Sequence, residues 1–284
     1  MKDKLPTREE YRNSHRKKKL RFKKWVIVVF FLFFLSLLSI SSIGIYFWLN
    51  DNKETKNIQD KVIEDTNVKE KQDNENTENI NPPENKSDDY WDYIKMNLLE
   101  VDFGDLLRKN PDTVGWIQVN GTNINYPIVQ HNDNSYYLKR DIYKKKSSMG
   151  WVYLDYRNSK NEFDSNNIIY GHSMLNGTMF GTLKNVLTSN FRKNSDNMII
   201  SYDTPNGQYK FKIFSGYRVE YTTDYLKTDF ESKKEFDSFV KLIRGRSTFK
   251  TNDKVVYGDK ILTLSTCAGN GKKRLVVHAV LIKE

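Results

Sequence analysis

From Trp25 to Leu49 the chain runs without one charged side chain. At a rise of ~1.5 Å per residue, such a run reaches across a hydrocarbon core ~30 Å thick. Trp25 stands at one end and Tyr46 and Trp48 at the other, where amphipathic aromatics prefer the interface. Ahead of the run, Arg12, Arg16, Lys17, Lys18, Lys19, Arg21, Lys23 and Lys24 form a basic block, and an acidic, polar segment follows it. The positive-inside rule then keeps the N-terminus in the cytoplasm and sends everything beyond Asn50 outside. A cleaved signal peptide would have an apolar core of about 7–15 residues and a small-residue exit. Here the exit, Ile45–Asn50, is bulky, which favours an uncleaved anchor.

Four regions follow: a basic cytoplasmic tail over 1–24, a transmembrane anchor over 25–49, a polar stalk over 50–88 and a folded extracytoplasmic domain over 89–284. The stalk is rich in Asn, Asp, Glu and Lys with Pro82-Pro83, and too poor in apolar side chains to order itself. The net charge of +10 owes much to the tail. Topology and anionic lipid account for that cluster, so no nucleic-acid partner is expected. A single cysteine, Cys267, excludes an intramolecular disulfide and a multi-thiolate metal site. An exported domain without disulfides suits a bacterium with a single membrane and a thick wall.

Within the domain, Tyr90, Trp91, Ile94, Leu98 and Val101 recur at helical spacing. Asp102 and Asp105 suit the start of a second short helix that stops near Asn110-Pro111. The period then shortens. β-like runs occur at 115–119, 124–129, 151–154, 167–170, 198–202, 209–215, 260–267 and 274–282, separated by Gly, Asn, Asp and Ser. This predicts a mainly β, antiparallel-rich sheet or barrel. Two helices interrupt it, over 178–187 and 231–244, the second with Phe236, Phe239, Val240 and Ile243 on one face.

Cys267 closes the run from Lys260, and a lone thiol is either an inert core residue or a nucleophile. A nucleophile needs a base or a cation beside it. His15 is excluded by topology, and His131 lies in a turn-rich loop. His278 sits mid-strand on the same face as Arg274, Val276 and Val280. His172 ends the buried-looking run Asn167-Ile-Ile-Tyr-Gly-His, at a strand end of the kind sites use, and is favoured over His278. Arg274 could lower the thiol pKa or stabilise an oxyanion, or be an exposed member of Lys272-Lys-Arg274.

Several segments together resemble the sortases, and most closely class B sortases. They are Asn123-Ile-Asn-Tyr-Pro-Ile-Val129, Ile169-Tyr-Gly-His172 with Thr178-Met-Phe180, Thr223-Asp-Tyr-Leu-Lys-Thr-Asp-Phe230, Thr263-Leu-Ser-Thr-Cys267 and Arg274-Leu-Val-Val277, in that order. A short Cys267–Arg274 loop is the one departure. The resemblance implies an eight-stranded sortase-type β-barrel with N-terminal helices and an inserted amphipathic helix at 231–244. It implies Cys267 as nucleophile, His172 as general acid/base and Arg274 as stabiliser of substrate or oxyanion. It also places Asn125, Val129, Tyr170, Tyr225, Leu226 and Ser265 in the groove that binds a sorting signal. No metal or organic cofactor is required. The implied partners are exported proteins with a C-terminal sorting motif cleaved after threonine, and an amine of the peptidoglycan cross-bridge. Alternative readings are a pilin-polymerising sortase, a hydrolytic cysteine protease and a tethered wall-binding β-domain. The chain stops at Glu284 directly after the last strand, which argues against the pilin type.

Overall fold

In the computed structural model, the residues described are 23–66, 69–70, 99–268 and 273–282. The chain divides into two compact units, Met1–Asn50 and Asp51–Glu284. In the first unit the apolar run is helical, part of a helix α1 over Lys24–Asp65. It is long and apolar enough to cross a membrane, and the protein buries none of its most apolar window. The hydroxyls of Ser36, Ser39 and Ser42 donate to carbonyls three or four residues back, so the helix satisfies its own serines.

In the second unit, the helical residues 51–65 correct the expectation of a stalk over 50–88. Asn52, Thr55, Gln59, Val62 and Thr66 are buried, a stripe spaced by threes and fours. Gln59 donates through Nε2 to the carbonyls of Asn123 and Asn125, both at 3.3 Å, and its Oε1 accepts from the Tyr126 hydroxyl at 2.7 Å. Residues 71–88 of the expected stalk, and the helix expected from Tyr90 to Leu98, lie outside the described residues. Val101 is not helical. Two short strands, β1 (Lys69–Glu70) and β2 (Leu99–Glu100), pair with each other. The second expected helix is α2, Phe103–Lys109, with the Asp102 side chain accepting from the Asp105 N–H.

The remaining strands close a barrel. They are β3 (Thr113–Val119), β4 (Asn125–Val129), β5 (Tyr153–Leu154), β6 (Asn166–Tyr170), β7 (Ile199–Thr204), β8 (Gly207–Glu220), β9 (Ile261–Ala268) and β10 (Lys273–Leu281). Their order around it is β10-β8-β7-β3-β4-β5-β6-β9, the eight runs expected from the sequence. Two contacts are parallel, β4 with β5 and β6 with β9. Trp116, Ile117, Tyr126, Ile128, Ile213, Leu264, Val277 and Ala279 belong to one buried hydrophobic cluster.

The helix expected over 231–244 is α3, Lys233–Arg246, capped by Ser232. Phe236, Phe239, Val240 and Ile243 are buried with Phe214, Tyr217, Val276 and Val280 in a second cluster. β8 and β10 are therefore covered on both faces, which explains why Leu275–Leu281 is apolar almost throughout. The helix expected over 178–187 forms only in part. Thr178–Gly181 is turn, and a 3₁₀ segment spans Leu183–Leu187. Met179 takes φ 51°, and a Cβ on Gly181 would lie 2.2 Å from the Met174 carbonyl oxygen. These close contacts hold the segment in a tight loop.

Candidate active site

Strand register assembles the site. β6 and β9 run parallel with Tyr170 opposite Ser265. His172 and Cys267 each lie two residues beyond that last pair, His172 in the loop after β6 and Cys267 still within β9. Across the next ladder, antiparallel β10 sets Arg274 directly opposite Cys267. Backbone pairing thus sets Cys267 and Arg274 opposite each other, with His172 two residues past the end of the neighbouring β6.

His172 lines a cavity of about 310 Å³ with Asn134, Leu138, Tyr153, Tyr170, Gly171, Tyr221, Tyr225, Leu226, Ser265, Thr266 and Arg274. Its Nε2 lies 3.0 Å from the Leu138 carbonyl oxygen. A carbonyl only accepts, so this bond puts the proton on Nε2 and leaves Nδ1 with the lone pair. The loop that carries it is held twice: Phe180 N–H donates to the His172 carbonyl at 2.8 Å, and Met179 N–H to the Tyr126 hydroxyl at 2.8 Å. Gly171 is needed because a Cβ there would come within 2.7 Å of the Phe180 ring. The Tyr-Gly-His and Thr-Met-Phe segments are therefore two sides of one loop.

The Arg274 guanidinium sits 4.8 Å from the centre of the Tyr221 ring, which steers it by a cation–π contact. The Tyr225 hydroxyl and Ser265 Oγ are 3.0 Å apart. Asp224 receives two bonds from Arg246 of α3, at 2.7 and 2.6 Å, and this ties the Tyr225-Leu226 segment to the inserted helix. Tyr170 donates to the buried Asp155 at 2.9 Å. Burial and that carboxylate raise its phenol pKa.

Of the six residues assigned to a groove from the sequence, Tyr170, Tyr225, Leu226 and Ser265 line this cavity, and Asn125 and Val129 do not. Val129 is fully buried in the core, and Asn125 accepts from Trp116 Nε1 at 2.6 Å. The Asn-Tyr-Pro segment is a structural strand. The wall residues missed are Asn134 and Leu138, from the loop just beyond it, with Tyr153, Tyr221 and Thr266. A polar turn followed by the aromatics Tyr136 and Tyr137 was the only signal for that loop.

His278 is accounted for elsewhere. It is wholly buried beneath α3, with Nδ1 2.8 Å from Thr263 Oγ1 and Nε2 3.0 Å from the Tyr217 hydroxyl. The Thr263 proton goes to Asn166 Oδ1 at 2.6 Å. The imidazole thus donates to Thr263, accepts from Tyr217 and is neutral. Burial, with Arg246 nearby, pushes its pKa down to about 3. His131 stacks on Tyr136 at 3.9 Å in an open loop. Among the described residues no group of three or more His, Cys, Asp or Glu could hold a metal ion.

A mainly β closed barrel, with a histidine and an arginine beside the strand that carries the sequence's only cysteine, defines the class. The sequence profile of the sortase domain matches residues 117–282, and the chain belongs to the sortase family, among its class B cysteine transpeptidases. It is 34% identical over 184 residues to sortase B of Staphylococcus aureus, covering 64% of this chain and 75% of that protein. It is 37% identical over 183 residues to sortase B of Listeria monocytogenes, covering 63% and 73%. Among solved structures it resembles sortase B from B. anthracis with a TM-score of 0.66 at 34% identity, over 83% of this chain and 100% of that one. The Staphylococcus aureus sortase B–substrate complex matches with a TM-score of 0.60 at 34% identity, over 64% and 84%.

Proposed function

We propose that this chain is a membrane-anchored transpeptidase that joins exported proteins to an amine of the cell wall. Cys267 attacks the carbonyl carbon of a threonine in a C-terminal sorting motif. The Cys267 thiol proton passes to His172, the carbon–nitrogen bond breaks, and a thioester forms while the departing amine takes that proton. An incoming amine then attacks the thioester and gives its proton to His172, which returns it to the departing sulfur, leaving a new amide and the Cys267 thiol restored. With Nε2 held by the Leu138 carbonyl, Nδ1 is the atom that exchanges the proton. Arg274, steered by Tyr221, donates to the oxygen that gains charge in each tetrahedral intermediate.

The reading is supported by the register that sets Arg274 opposite Cys267, and by a cavity lined by His172, Arg274, Tyr170, Tyr225, Leu226 and Ser265. The uncharged helical run from Trp25 to Leu49 supports a single-pass anchor with the N-terminus in the cytoplasm and the barrel outside.

The test is cleavage of a sorting-signal peptide by the full chain in detergent micelles, with and without added amine. Cys267→Ala should abolish cleavage and transfer, and any appreciable product from it removes the nucleophile. His172→Ala should lower turnover by roughly 10²–10⁴-fold, the usual contribution of a general acid–base. His278→Gln should stay within about threefold of wild type, since it only packs the barrel wall. The reverse ranking would move the base to His278.

A further inference from the structure

Asp155 has no exposed side-chain surface, yet it lies directly behind the cavity. Its Oδ1 accepts from Arg157 Nε at 2.9 Å and from the Arg157 backbone N–H at 3.0 Å. Its Oδ2 accepts from three donors: an Arg157 guanidinium nitrogen at 2.7 Å, Tyr170 at 2.9 Å and Asn134 Nδ2 at 3.1 Å. Two of those donors, Tyr170 and Asn134, form the cavity wall beside His172. A buried carboxylate with a full set of charge-assisted bonds is a rigid fixture, since losing any one partner leaves charge unsatisfied.

That fixture also sets what the wall offers. Tyr170 has one proton, and it is spent on Asp155, so its oxygen faces a ligand with lone pairs only. The Asn134 carbonyl oxygen accepts from the Tyr156 N–H at 3.0 Å and one of its amide protons goes to Asp155. The second amide proton remains for a ligand. One acceptor and one donor, both anchored on a single carboxylate oxygen, complement the N–H and C=O of an extended peptide.

We propose that Asp155 is a positioning residue for peptide capture: through Arg157 it stays ionised inside the wall, and through Tyr170 and Asn134 it fixes the hydrogen-bonding edge that meets the sorting peptide. The inference rests on the transpeptidase reading. Asp155 touches no reacting atom, so its loss falls on binding and leaves the chemical step alone.

The experiment compares kcat and KM of the full chain in micelles for wild type, Asp155→Asn, Tyr170→Phe and the double variant. Asp155→Asn should raise KM about tenfold or more with kcat within about threefold. Tyr170→Phe should raise KM several-fold, and the double variant should be no worse than the weaker single one, because both remove the same edge. A fall in kcat at unchanged KM, or fully additive effects, would overturn the proposal. If Asp155→Asn does not fold, Tyr170→Phe decides alone: a wild-type KM there overturns it. A wild-type chain with no turnover would instead refute the transpeptidase reading itself.

Discussion

The two histidines of the domain core show how environment sorts one side chain into different work. His172 is half-buried at a strand end with one nitrogen held by a carbonyl, while His278 is sealed between Thr263 and Tyr217. Sealing has a consequence for stability. With a folded pKa of about 3 against ~6.5 unfolded, His278 binds fewer protons in the native state between those values. Its contribution is complete above the unfolded pKa and is lost as pH falls from about 6.5 toward 3. Asp203 works the other way, because burial pushes its carboxyl up to about 7. The native state then binds the extra proton, so its contribution declines as pH rises from ~4 toward 7. Urea midpoints should therefore be measured for wild type and His278→Gln across this range. The difference between them should shrink by a few kcal/mol from pH 7 to pH 4. A constant difference would mean that His278 titrates alike in the folded and unfolded chain.

At the scale of elements, the strands were legible because alternation and turn residues report directly on a half-buried ladder, and all eight barrel strands follow those runs. α3 was legible for the same reason, as Phe236, Phe239, Val240 and Ile243 form a stripe and Ser232 supplies the cap. The helical segment 51–65 was not. Its buried stripe is Asn52, Thr55, Gln59, Val62 and Thr66, with Ile58 and Ile63 only partly buried beside it, so apolar periodicity is weak. The spacing is helical but the chemistry is polar, and Gln59 earns its burial by bonding Tyr126 and the edge of β4. Tyr126 in turn holds Met179 on the loop that carries His172. A chain beginning at Asp51 should thus melt several degrees above one beginning at Tyr90, about what a loss of 1–2 kcal/mol produces in a domain this size. Equal melting temperatures by calorimetry would show that the helix adds nothing. Asn125 and Val129 misled for a related reason: a segment that marks the family builds the barrel wall, and the adjacent loop with Asn134 and Leu138 meets the cavity.

For the whole molecule, the barrel is a device for ending three strands in step. Parallel β6 leads into His172 two residues past its end, β9 carries Cys267, and antiparallel β10 sets Arg274 opposite that cysteine. The cysteine, histidine and arginine stand out in the sequence, but the proposed site depends on ladder register, which a one-residue slip would destroy. The central claim is a covalent one, and intact-mass spectrometry tests it most directly. The full chain, mixed with a sorting-signal peptide and quenched in acid, should gain the mass of the peptide's N-terminal fragment. Peptide mapping should place that mass on Cys267, and it should vanish when an amine is added before the quench. Transfer product formed without the adduct, or an adduct on any other residue, would contradict the account.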